Sequence, residues 1–418
     1  MIATVRRAPG LEGSIKVPGD KSISHRALML GSIADGDSSI RGLSPGADVQ
    51  STASCMRALG VEVDSSVVRG RGMGGLRAAS GPLDCGNSGT TMRLLAGLLA
   101  AQGFESTLVG DESLSRRPMD RVVRPLQEMG AKAEAPPLRV GGQPHLRGIE
   151  YVTPVPSAQV KSAILLAGLY AEGETAVVEH VRTRDHTELM LGAMGAKVSV
   201  EGRRVAVECA DHLHPLHLHV PGDFSSAAFW IVAGGLVRIA DVRLLGVGVN
   251  PTRTALADLL TSIGWHIDRA NPRFEGGEPV ADLRVRPAVG PRPVNVAAAQ
   301  AALMIDELPV LAVAATQIMG RSVIAGAAEL RVKESDRLYA MEEGLRRMGA
   351  DITASEDGWE INGPRDLEGA RVDSGGDHRV AMALAIAGLM ADGKTEIEGA
   401  ECVDISYPDF FDDIESLT

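Results

Sequence analysis

Apolar positions along this chain recur in a pattern with a long, regular period. Four small, apolar, helix-forming runs begin at a capping residue, and each ends at a glycine sixteen residues further on. The pairs of start and end are Asp20 with Gly36, Asn87 with Gly103, Ser157 with Gly173, and Asp377 with Gly393. Looser copies begin at Asp223 and Asp306. Since the six starts are about seventy residues apart, the pattern predicts six structural repeats.

The second half of each repeat has its own pattern. After the glycine, polar and apolar residues alternate, as in Thr175–Val178, which predicts a strand. In five repeats a second helix follows and ends at a glycine, and a further strand comes after it, for example in LQEMGAKAEA and LRRMGADI. The sixth such helix, 410–417, has no strand after it. Residues 2–6 alternate suitably, so we expect the N-terminal segment to complete the last repeat.

These repeats predict a two-lobed organisation. Repeats one to three would form one lobe, residues 13–220, and repeats four to six with residues 1–12 would form the other, residues 1–12 plus 221–418. At 418 residues the chain is long enough for two domains, each with its own hydrophobic core. The chain would cross between the lobes twice.

Composition narrows the function classes. No apolar run approaches the ~18 residues that a membrane helix needs, so we expect no membrane association. The formal charge of −12 argues against a nucleic-acid partner. The four cysteines form no CxxC pair, which predicts a reduced, cytoplasmic protein.

Basic residues nevertheless concentrate at the predicted helix starts. Lys21, Arg26, Arg93, Lys161 and Arg379 lie at or just after these starts. A helix N-terminus offers unpaired N–H groups and about half a positive charge. The combination predicts a site for a ligand with several negative charges, such as phosphates and carboxylates.

Seven ordered motifs carry a family resemblance. PGDKSISHRAL, GNSGTTMR, RRPMDR, PSAQVKSA, RDHTE, RVKESDR and DHRVAMA together resemble the 5-enolpyruvylshikimate-3-phosphate (EPSP) synthases, in particular their second bacterial class. The resemblance implies an α/β fold, a two-lobed inverse α/β barrel of six βαβαββ repeats with three in each lobe. It also implies transfer of the enolpyruvyl group of phosphoenolpyruvate to the 5-hydroxyl of shikimate 3-phosphate, with release of phosphate.

The resemblance also implies the site residues, motif by motif. The expected ligands of shikimate 3-phosphate are Lys21, Ser22, Arg26, Ser157, Ala158, Gln159, Arg184, Asp306 and Lys333. The expected ligands of phosphoenolpyruvate are Lys21, Gly89, Arg117, Gln159, Arg337 and Arg379. The expected catalytic residues are Lys21, Asp306, Lys333 and Glu334.

The implied reaction explains these residue types. The 5-hydroxyl attacks C2 of phosphoenolpyruvate while C3 gains a proton, and the tetrahedral intermediate then loses phosphate and a C3 proton. This chemistry needs an acid, a base and anion stabilisation, so we expect no metal and no cofactor. Glu334 is the candidate acid for C3, and either Asp306 or Lys333 is the candidate base.

Two alternative functions were weighed. The enolpyruvyl transferase that acts on UDP-N-acetylglucosamine shares the architecture, but it has a Lys-Asn pair at the first helix start and a reactive cysteine on a loop. Here the pair is Lys21-Ser22, and the corresponding loop 111–117 has no cysteine. A non-catalytic repeat scaffold has no use for the cluster of Asp306, Lys333 and Glu334. Phosphate release tested with each acceptor separates the three functions.

The remaining expectations concern single positions. Four histidines in HLHPLHLHV alternate with leucine, which predicts a strand with a wet face rather than a metal site. The family often has a lysine where this chain has Ile405, so one phosphoenolpyruvate contact is missing and more of the affinity would rest on Arg379. The resemblance implies that glyphosate binds the phosphoenolpyruvate subsite beside Gly89. We expect a monomer.

Overall fold

The computed structural model describes residues 1–142 and 145–418, and contacts between α-carbons divide them into two compact lobes. Lobe 1 comprises Gly19–Val220 and Phe274–Glu278. Lobe 2 comprises Met1–Pro18, Pro221–Arg273 and Pro279–Thr418. Each lobe has its own cluster of buried hydrophobic side chains.

Strands and helices alternate along the chain in the order that the repeats predict. Two strands come first: β1 (Ile2–Arg6) and β2 (Leu11–Ile15). Repeat one contains α1 (Lys21–Ser32), β3 (Asp37–Arg41), α2 (Ala47–Ala58), β4 (Glu62–Val63) and β5 (Val67–Arg69). Repeat two contains β6 (Leu83–Asp84), α3 (Gly89–Leu99), β7 (Glu105–Val109), α4 (Glu112–Ser115), α5 (Asp120–Glu128), β8 (Ala133–Glu134) and β9 (Leu138–Gly141). Repeat three contains β10 (Leu146–Arg147), β11 (Glu150–Val152), α6 (Ala158–Gly168), β12 (Ala171–Glu172), β13 (Thr175–Val178), α7 (His186–Ala193), β14 (Val198–Glu201) and β15 (Arg204–Val207), and is followed by β16 (His217–His219).

The second half of the chain repeats this order. Repeat four contains α8 (Phe224–Leu236), β17 (Ala240–Gly248), α9 (Ala255–Ile263), β18 (His266–Glu275) and β19 (Glu278–Arg286). Repeat five contains β20 (Asn295–Val296), α10 (Ala298–Leu303), α11 (Leu308–Thr316), β21 (Gly320–Ile324), a 3-10 turn (Ala328–Val332), α12 (Arg337–Arg347), β22 (Asp351–Ala354) and β23 (Trp359–Gly363). Repeat six contains β24 (Arg371–Asp373), α13 (His378–Gly388), β25 (Lys394–Glu398), a 3-10 turn (Ala400–Ile405) and α14 (Phe410–Leu417).

Each repeat builds one main sheet, in which an edge strand pairs parallel with a central strand and a hairpin follows antiparallel. Repeat three also has a two-stranded parallel sheet, β10-β12. Five sheets have four strands, in the orders β16-β3-β5-β4, β6-β7-β9-β8, β11-β13-β15-β14, β2-β17-β19-β18 and β20-β21-β23-β22. The sixth has three described strands, in the order β24-β25-β1. In it β1 runs antiparallel to β25, with Ile2 opposite Glu398, so the prediction that the N-terminal segment completes the last repeat is confirmed.

Two edge strands come from distant parts of the sequence. Because of them, the boundary between the lobes differs from the predicted one. Repeat one takes its edge strand from β16, and repeat four takes its edge strand from β2, which pairs with β17 from Leu11 opposite Ala240 to Ile15 opposite Leu244. Because β2 hydrogen-bonds along its whole length to β17, residues 13–18 belong to lobe 2 rather than to the expected 13–220 lobe. Residues 274–278, at the turn between β18 and β19, group with lobe 1.

The first helices of the repeats begin at the predicted capping residues, with two exceptions. Asp20, Ser157, Asp223 and Asp377 each accept a backbone N–H of the first turn, as predicted. The cap of α3 is Ser88 rather than Asn87, and Glu307 rather than Asp306 precedes α11. The five glycines that end the second helices all have positive φ: Gly60, Gly130, Gly195, Gly264 and Gly349.

Helices α3 and α6 pack unusually closely. A Cβ on Gly97 would lie 2.1 Å from the carbonyl oxygen of Ala163, so this position tolerates no side chain. The small residues of the first helices therefore serve contact between backbones. In lobe 1 this packing sets how the first turns of α3 and α6 meet.

Candidate active site

In lobe 1 the starts of α3 and α6 are joined by side-chain hydrogen bonds. Gln159 accepts a hydrogen bond from Arg93 Nη1 through its amide oxygen, at 2.6 Å. The Nε2 atom of Gln159 donates to Thr90 Oγ1, at 2.8 Å. Ser157 caps α6 through Val160 N, at 3.3 Å. Because Ala158 follows it as the first residue of α6, two backbone N–H groups lie at the positive end of this helix. The site residues predicted from PSAQ are therefore on one helix start.

The start of α1 carries a partly buried ion pair. Lys21 Nζ lies 3.0 Å from Asp48 Oδ2, and 17% of the lysine side chain is exposed. The next residue, Ser22, accepts a hydrogen bond from Arg184 Nη1 at 3.3 Å. Three predicted shikimate ligands, two from PGDKSISHRAL and one from RDHTE, thus lie at the start of α1.

Arg26 is held rigidly by neutral partners. Its Nε donates to Thr187 Oγ1 at 2.7 Å, Nη2 to Ser162 Oγ at 2.6 Å, and Nη1 to the Ser22 carbonyl at 2.9 Å. Burial lowers the pKa of the guanidinium to about 10, although the Glu188 carboxylate acts in the opposite direction. Arg26 is therefore still charged at neutral pH.

The first turn of α3 brings two arginines close to Gly89. A Cβ at Gly89 would lie 2.8 Å from Arg93 Nη1 and 3.4 Å from Arg117 Nη1. Arg117 Nη2 also donates to Asn87 Oδ1 at 2.7 Å. Glycine at this position lets cationic side chains and a helix N-terminus share one small region, which suits an anionic ligand.

Two buried residues of lobe 1, Lys161 and His25, are structural. Lys161 is fully buried and pairs with Glu179 and Glu188, so the expectation that its charge joins the anion site was wrong. The His25 ring lies 2.6 Å from Thr52 Oγ1, and burial lowers its pKa well below the usual range. His25 is therefore a neutral, structural residue at neutral pH.

In lobe 2 a buried arginine gathers three carboxylates. Arg337 Nε donates to Asp377 Oδ2 at 2.8 Å, and Nη2 donates to Glu334 Oε2 at 2.6 Å. Its Nη1 lies 3.5 Å from Asp306 Oδ1. These carboxylates raise the pKa of Arg337 in spite of its burial, so the guanidinium is permanently charged. Asp306, Asp377 and the Glu334–Arg337 pair come from three separate segments of the sequence and therefore meet at one place.

Lys333 lies beside the same cluster. Its Nζ is 3.9 Å from Asp306 Oδ1, and its side chain is 27% exposed. Burial lowers the pKa of Lys333, with the Arg337 charge acting in the same direction and the Asp306 charge opposing it. The ammonium is therefore easier to deprotonate than that of an exposed lysine, and the neutral amine is the form that accepts a proton.

Arg379 has a mixed environment. Its guanidinium carbon lies 5.9 Å from the centroid of the Phe229 ring, and Nη1 is buried without a hydrogen-bond partner among the described residues. Ile405 ends the 3-10 turn Ala400–Ile405 and supplies no charge. A buried donor with no protein acceptor is the arrangement that an anionic ligand would satisfy.

Sequence reasoning missed several contacts of these sites. Arg93 was noted as a basic residue but not assigned to a substrate, although it lies one helical turn after Gly89 within GNSGTTMR. A second missed feature is a buried network beside Asp306: Arg253 Nη2 donates to Asp223 at 2.8 Å and to Ser225 at 2.7 Å, and Ser225 donates to Glu307. Its members come from three separate segments, so sequence spacing gives no signal for it.

Other predicted features lie away from these sites. His217 and His219 are the exposed residues of β16 on either side of the buried Leu218, as their alternation predicted. Within the described residues, no group of three or more His, Cys, Asp or Glu side chains could hold a metal ion. None of the helices in the described ranges combines the length and apolar character that a bilayer crossing requires.

In lobe 1 the helix starts are lined by arginine and lysine. Lobe 2 holds a cluster of lysine, carboxylates and arginine. These features are typical of an enzyme that acts on small anions. A family model described as EPSP synthase (3-phosphoshikimate 1-carboxyvinyltransferase) matches residues 5–414. The 3-phosphoshikimate 1-carboxyvinyltransferase of Gloeobacter violaceus is 53% identical, over 98% of this chain and 97% of that protein. The protein of that name from Desulforudis audaxviator is 50% identical, over 100% and 99%.

Solved structures agree with the sequence matches. An EPSP synthase from Acinetobacter baumannii superimposes with a TM-score of 0.88 and 42% identity, covering 100% of this chain and 98% of that one. The chain belongs to the EPSP synthase family. The fold and activity predicted from the seven motifs are thereby confirmed, and the UDP-sugar transferase is not favoured.

Proposed function

We propose that this chain transfers the enolpyruvyl group through two sets of residues, one in each lobe. The transfer runs from phosphoenolpyruvate to the 5-hydroxyl of shikimate 3-phosphate, as the family assignment states for its members. The division of roles rests on one observation, the cluster of Asp306, Glu334 and Lys333 around Arg337. This cluster holds carboxylates together with an amine whose pKa is lowered.

Lobe 1 supplies most of the ligands of shikimate 3-phosphate. We assign the phosphate to the start of α6, where Ser157, Ala158 and Gln159 offer N–H, hydroxyl and amide groups. Lys21, Ser22, Arg26 and Arg184 would hold the ring and its carboxylate. From lobe 2, Asp306 and Lys333 would accept and donate hydrogen bonds to the ring hydroxyls.

Phosphoenolpyruvate carries a phosphate and a carboxylate, and both accept paired hydrogen bonds from a planar guanidinium. We assign it to Lys21, Gly89, Arg117 and Gln159, and in lobe 2 to Arg337 and Arg379. Two observations support this: the crowding of guanidinium groups around Gly89, and the buried Nη1 of Arg379. The contact between Arg93 and Gln159 adds a cation that the motifs did not assign.

The proton transfers fall to the lobe 2 cluster. Glu334 is the proposed acid that protonates C3, and Arg337 fixes its orientation at 2.6 Å. The base that takes the 5-hydroxyl proton is Asp306 or Lys333. The lowered pKa of Lys333 supports the lysine, since a larger fraction of it is neutral at a given pH. Positive charge from Lys21 and the arginines would stabilise the anionic tetrahedral intermediate.

The test is phosphate release from phosphoenolpyruvate by the purified protein. Release that requires shikimate 3-phosphate, and that is absent with UDP-N-acetylglucosamine, is the expected outcome. Release with the UDP-sugar instead would contradict the proposal. Release with neither acceptor would favour a non-catalytic role.

We also propose a cytoplasmic monomer. Support for the cytoplasm comes from four free cysteines, among which the neighbouring Cys55 thiol and burial strongly raise the pKa of the Cys85 thiol. Every residue assigned to the substrates comes from one chain, which supports a monomer. Light scattering during size-exclusion chromatography measures the mass directly.

A further inference from the structure

The Lys161 ammonium is buried among three structural elements of lobe 1. Its Nζ lies 2.7 Å from Glu188 Oε1 and 3.0 Å from Glu179 Oε2, and it donates to the Thr183 carbonyl at 3.4 Å. The lysine and Glu179 side chains are each 1% exposed, and Glu188 is 5% exposed. A charge enclosed in this way cannot reach a ligand.

These contacts fasten both ends of a short connecting segment. Glu179 directly follows β13, and Glu188 lies in the first turn of α7. Within the segment, Thr183 donates its backbone N–H to Glu179 at 3.4 Å and its hydroxyl to the same carboxylate. The next residue is Arg184, whose Nη1 donates to Ser22 Oγ. One ammonium on α6 therefore determines the path of the backbone that carries Arg184.

Arg26 is less exposed to a change at this ammonium than Arg184 is. Two of its three partners, Ser162 and the Ser22 carbonyl, lie outside the 179–188 segment, and Thr187 lies within it. A change at Lys161 should therefore reach the substrate mainly through Arg184.

We propose that Lys161 is a positioning residue for shikimate 3-phosphate, acting through the 179–188 segment on Arg184. This inference rests on the proposed function, which assigns Arg184 to that substrate. The competing view is that Lys161 and its carboxylates form a structural ion pair with no selective effect on either substrate. The two views differ in which substrate constant changes.

The main variant is the double replacement Lys161→Met with Glu188→Gln. It removes one charge of each sign and leaves the buried Glu179 carboxylate with its bonds to Thr183, so a thermal melt checks that the variant folds. The matched control makes the same two changes at the exposed pair of Lys197 and Glu208, whose atoms are 2.8 Å apart. Calorimetric titration gives the Kd of shikimate 3-phosphate, and steady-state kinetics gives the KM of phosphoenolpyruvate.

We expect the Kd of shikimate 3-phosphate to rise about 10-fold, the size expected for a misplaced charged hydrogen bond, with less than a 3-fold change in the KM of phosphoenolpyruvate. The Lys197→Met, Glu208→Gln control should match wild type. In an Arg184→Met background the Lys161→Met, Glu188→Gln pair should add less than 2-fold, because its effect runs through Arg184. Equal shifts for both substrates, or full multiplicative loss in that background, would overturn the proposal.

A milder pair of variants covers the case in which the double replacement does not fold. Thr183→Val removes the hydroxyl that donates to Glu179, whereas Thr175→Val removes a buried hydroxyl with no hydrogen-bond partner in the described chain, on the strand that leads to the same segment. Thr183→Val should weaken shikimate 3-phosphate binding several-fold and Thr175→Val should not. Identical behaviour of the two would refute the role of the segment. Failure of wild type to bind shikimate 3-phosphate would instead refute the proposed function.

Discussion

Arg337 donates from Nη2 to the Glu334 carboxylate at 2.6 Å. Through Nε the same guanidinium holds Asp377, which in turn accepts the backbone N–H of Arg379. The start of α12 and the start of α13 are thus linked through one arginine. Glu334 is therefore oriented by groups that also anchor the proposed phosphoenolpyruvate ligands.

Replacing Glu334 with glutamine should reduce turnover by ~10²–10⁴-fold, since an amide cannot deliver the proton to C3. Folding should change little, because glutamine has the same shape and can still accept from Arg337. The matched control is Glu343→Gln on α12, where Glu343 pairs with Arg347 at 2.8 Å on the surface. Steady-state phosphate release measures both, and an active Glu334→Gln enzyme would eliminate Glu334 as the acid.

Replacing Lys333 with methionine should abolish turnover and raise the melting temperature at neutral pH by about 1–3 °C. Burial lowers the pKa of this lysine, so its protonated form is disfavoured in the folded state. The cost in stability of the buried ammonium is complete at pH values below the pKa of Lys333 in the folded protein. This cost vanishes at pH values above the ordinary pKa of lysine. The stability gain should therefore shrink as pH rises through that range.

Thermal melts from pH 7 to pH 10.5 test this sign. Lys394→Met, which removes an exposed lysine paired with Glu396 in the same lobe, is the control and should show no such trend. A Lys333→Met protein that is less stable at neutral pH, or a gain that grows with pH, would contradict the burial argument.

Local patterns predicted much of the fold, and the incomplete last repeat predicted one long-range pairing, that of β1 with β25, but the other long-range pairings did not follow from them. The caps at Asp20 and Ser157 were predictable because capping depends on neighbouring residues only. The pairing of β2 with β17 was not, because it joins segments more than two hundred residues apart and neither strand's pattern names its partner. The boundary expected at residue 13 was wrong for that reason.

The candidate site shows the same division. The sequence analysis grouped Asp306, Lys333 and Glu334; Asp306 and Glu334 both lie against Arg337, and Lys333 Nζ lies 3.9 Å from Asp306 Oδ1. The burial of Lys161 could not be predicted from its helix position, because its partner carboxylates lie in a later segment. The contact of Arg93 with Gln159 depends on the close packing of α3 on α6, which only the backbone geometry shows.

Replacing Gly89 with alanine should weaken inhibition by glyphosate about 10–100-fold and raise the KM of phosphoenolpyruvate less. The new methyl would lie 2.8 Å from Arg93 Nη1, so that guanidinium, which also donates to Gln159, must shift. Because glyphosate is longer than phosphoenolpyruvate, it has less room to adapt. The inhibition constant and the KM are measured for wild type and variant.

Gly103→Ala is the control for that change, since nothing lies within 4 Å of a Cβ there and the residue belongs to the same repeat. It should leave both constants unchanged. Equal losses for inhibitor and substrate in Gly89→Ala would show that this position does not distinguish them.

Replacing Arg93 with methionine should raise the KM of phosphoenolpyruvate about 10-fold, because the region around Gly89 loses a guanidinium and Gln159 loses the donor that orients its amide at 2.6 Å. The Kd of shikimate 3-phosphate, measured alone by calorimetry, should change less. Arg139→Met, at an exposed pair with Glu134 in the same repeat, should behave like wild type. A variant whose two constants move together would indicate that Arg93 acts on the α6 start as a whole.

The place of β1 in the last sheet has a consequence for biosynthesis. Ile2 pairs with Glu398, so β1 must wait for its partner until β25 has been synthesised. At 5–20 residues per second this interval is about 20–80 s. Throughout it the strand has exposed N–H and C=O groups and no native neighbour. The nascent chain therefore carries a ready template for mispairing, and a chaperone that shields this end during translation would raise the yield of folded enzyme.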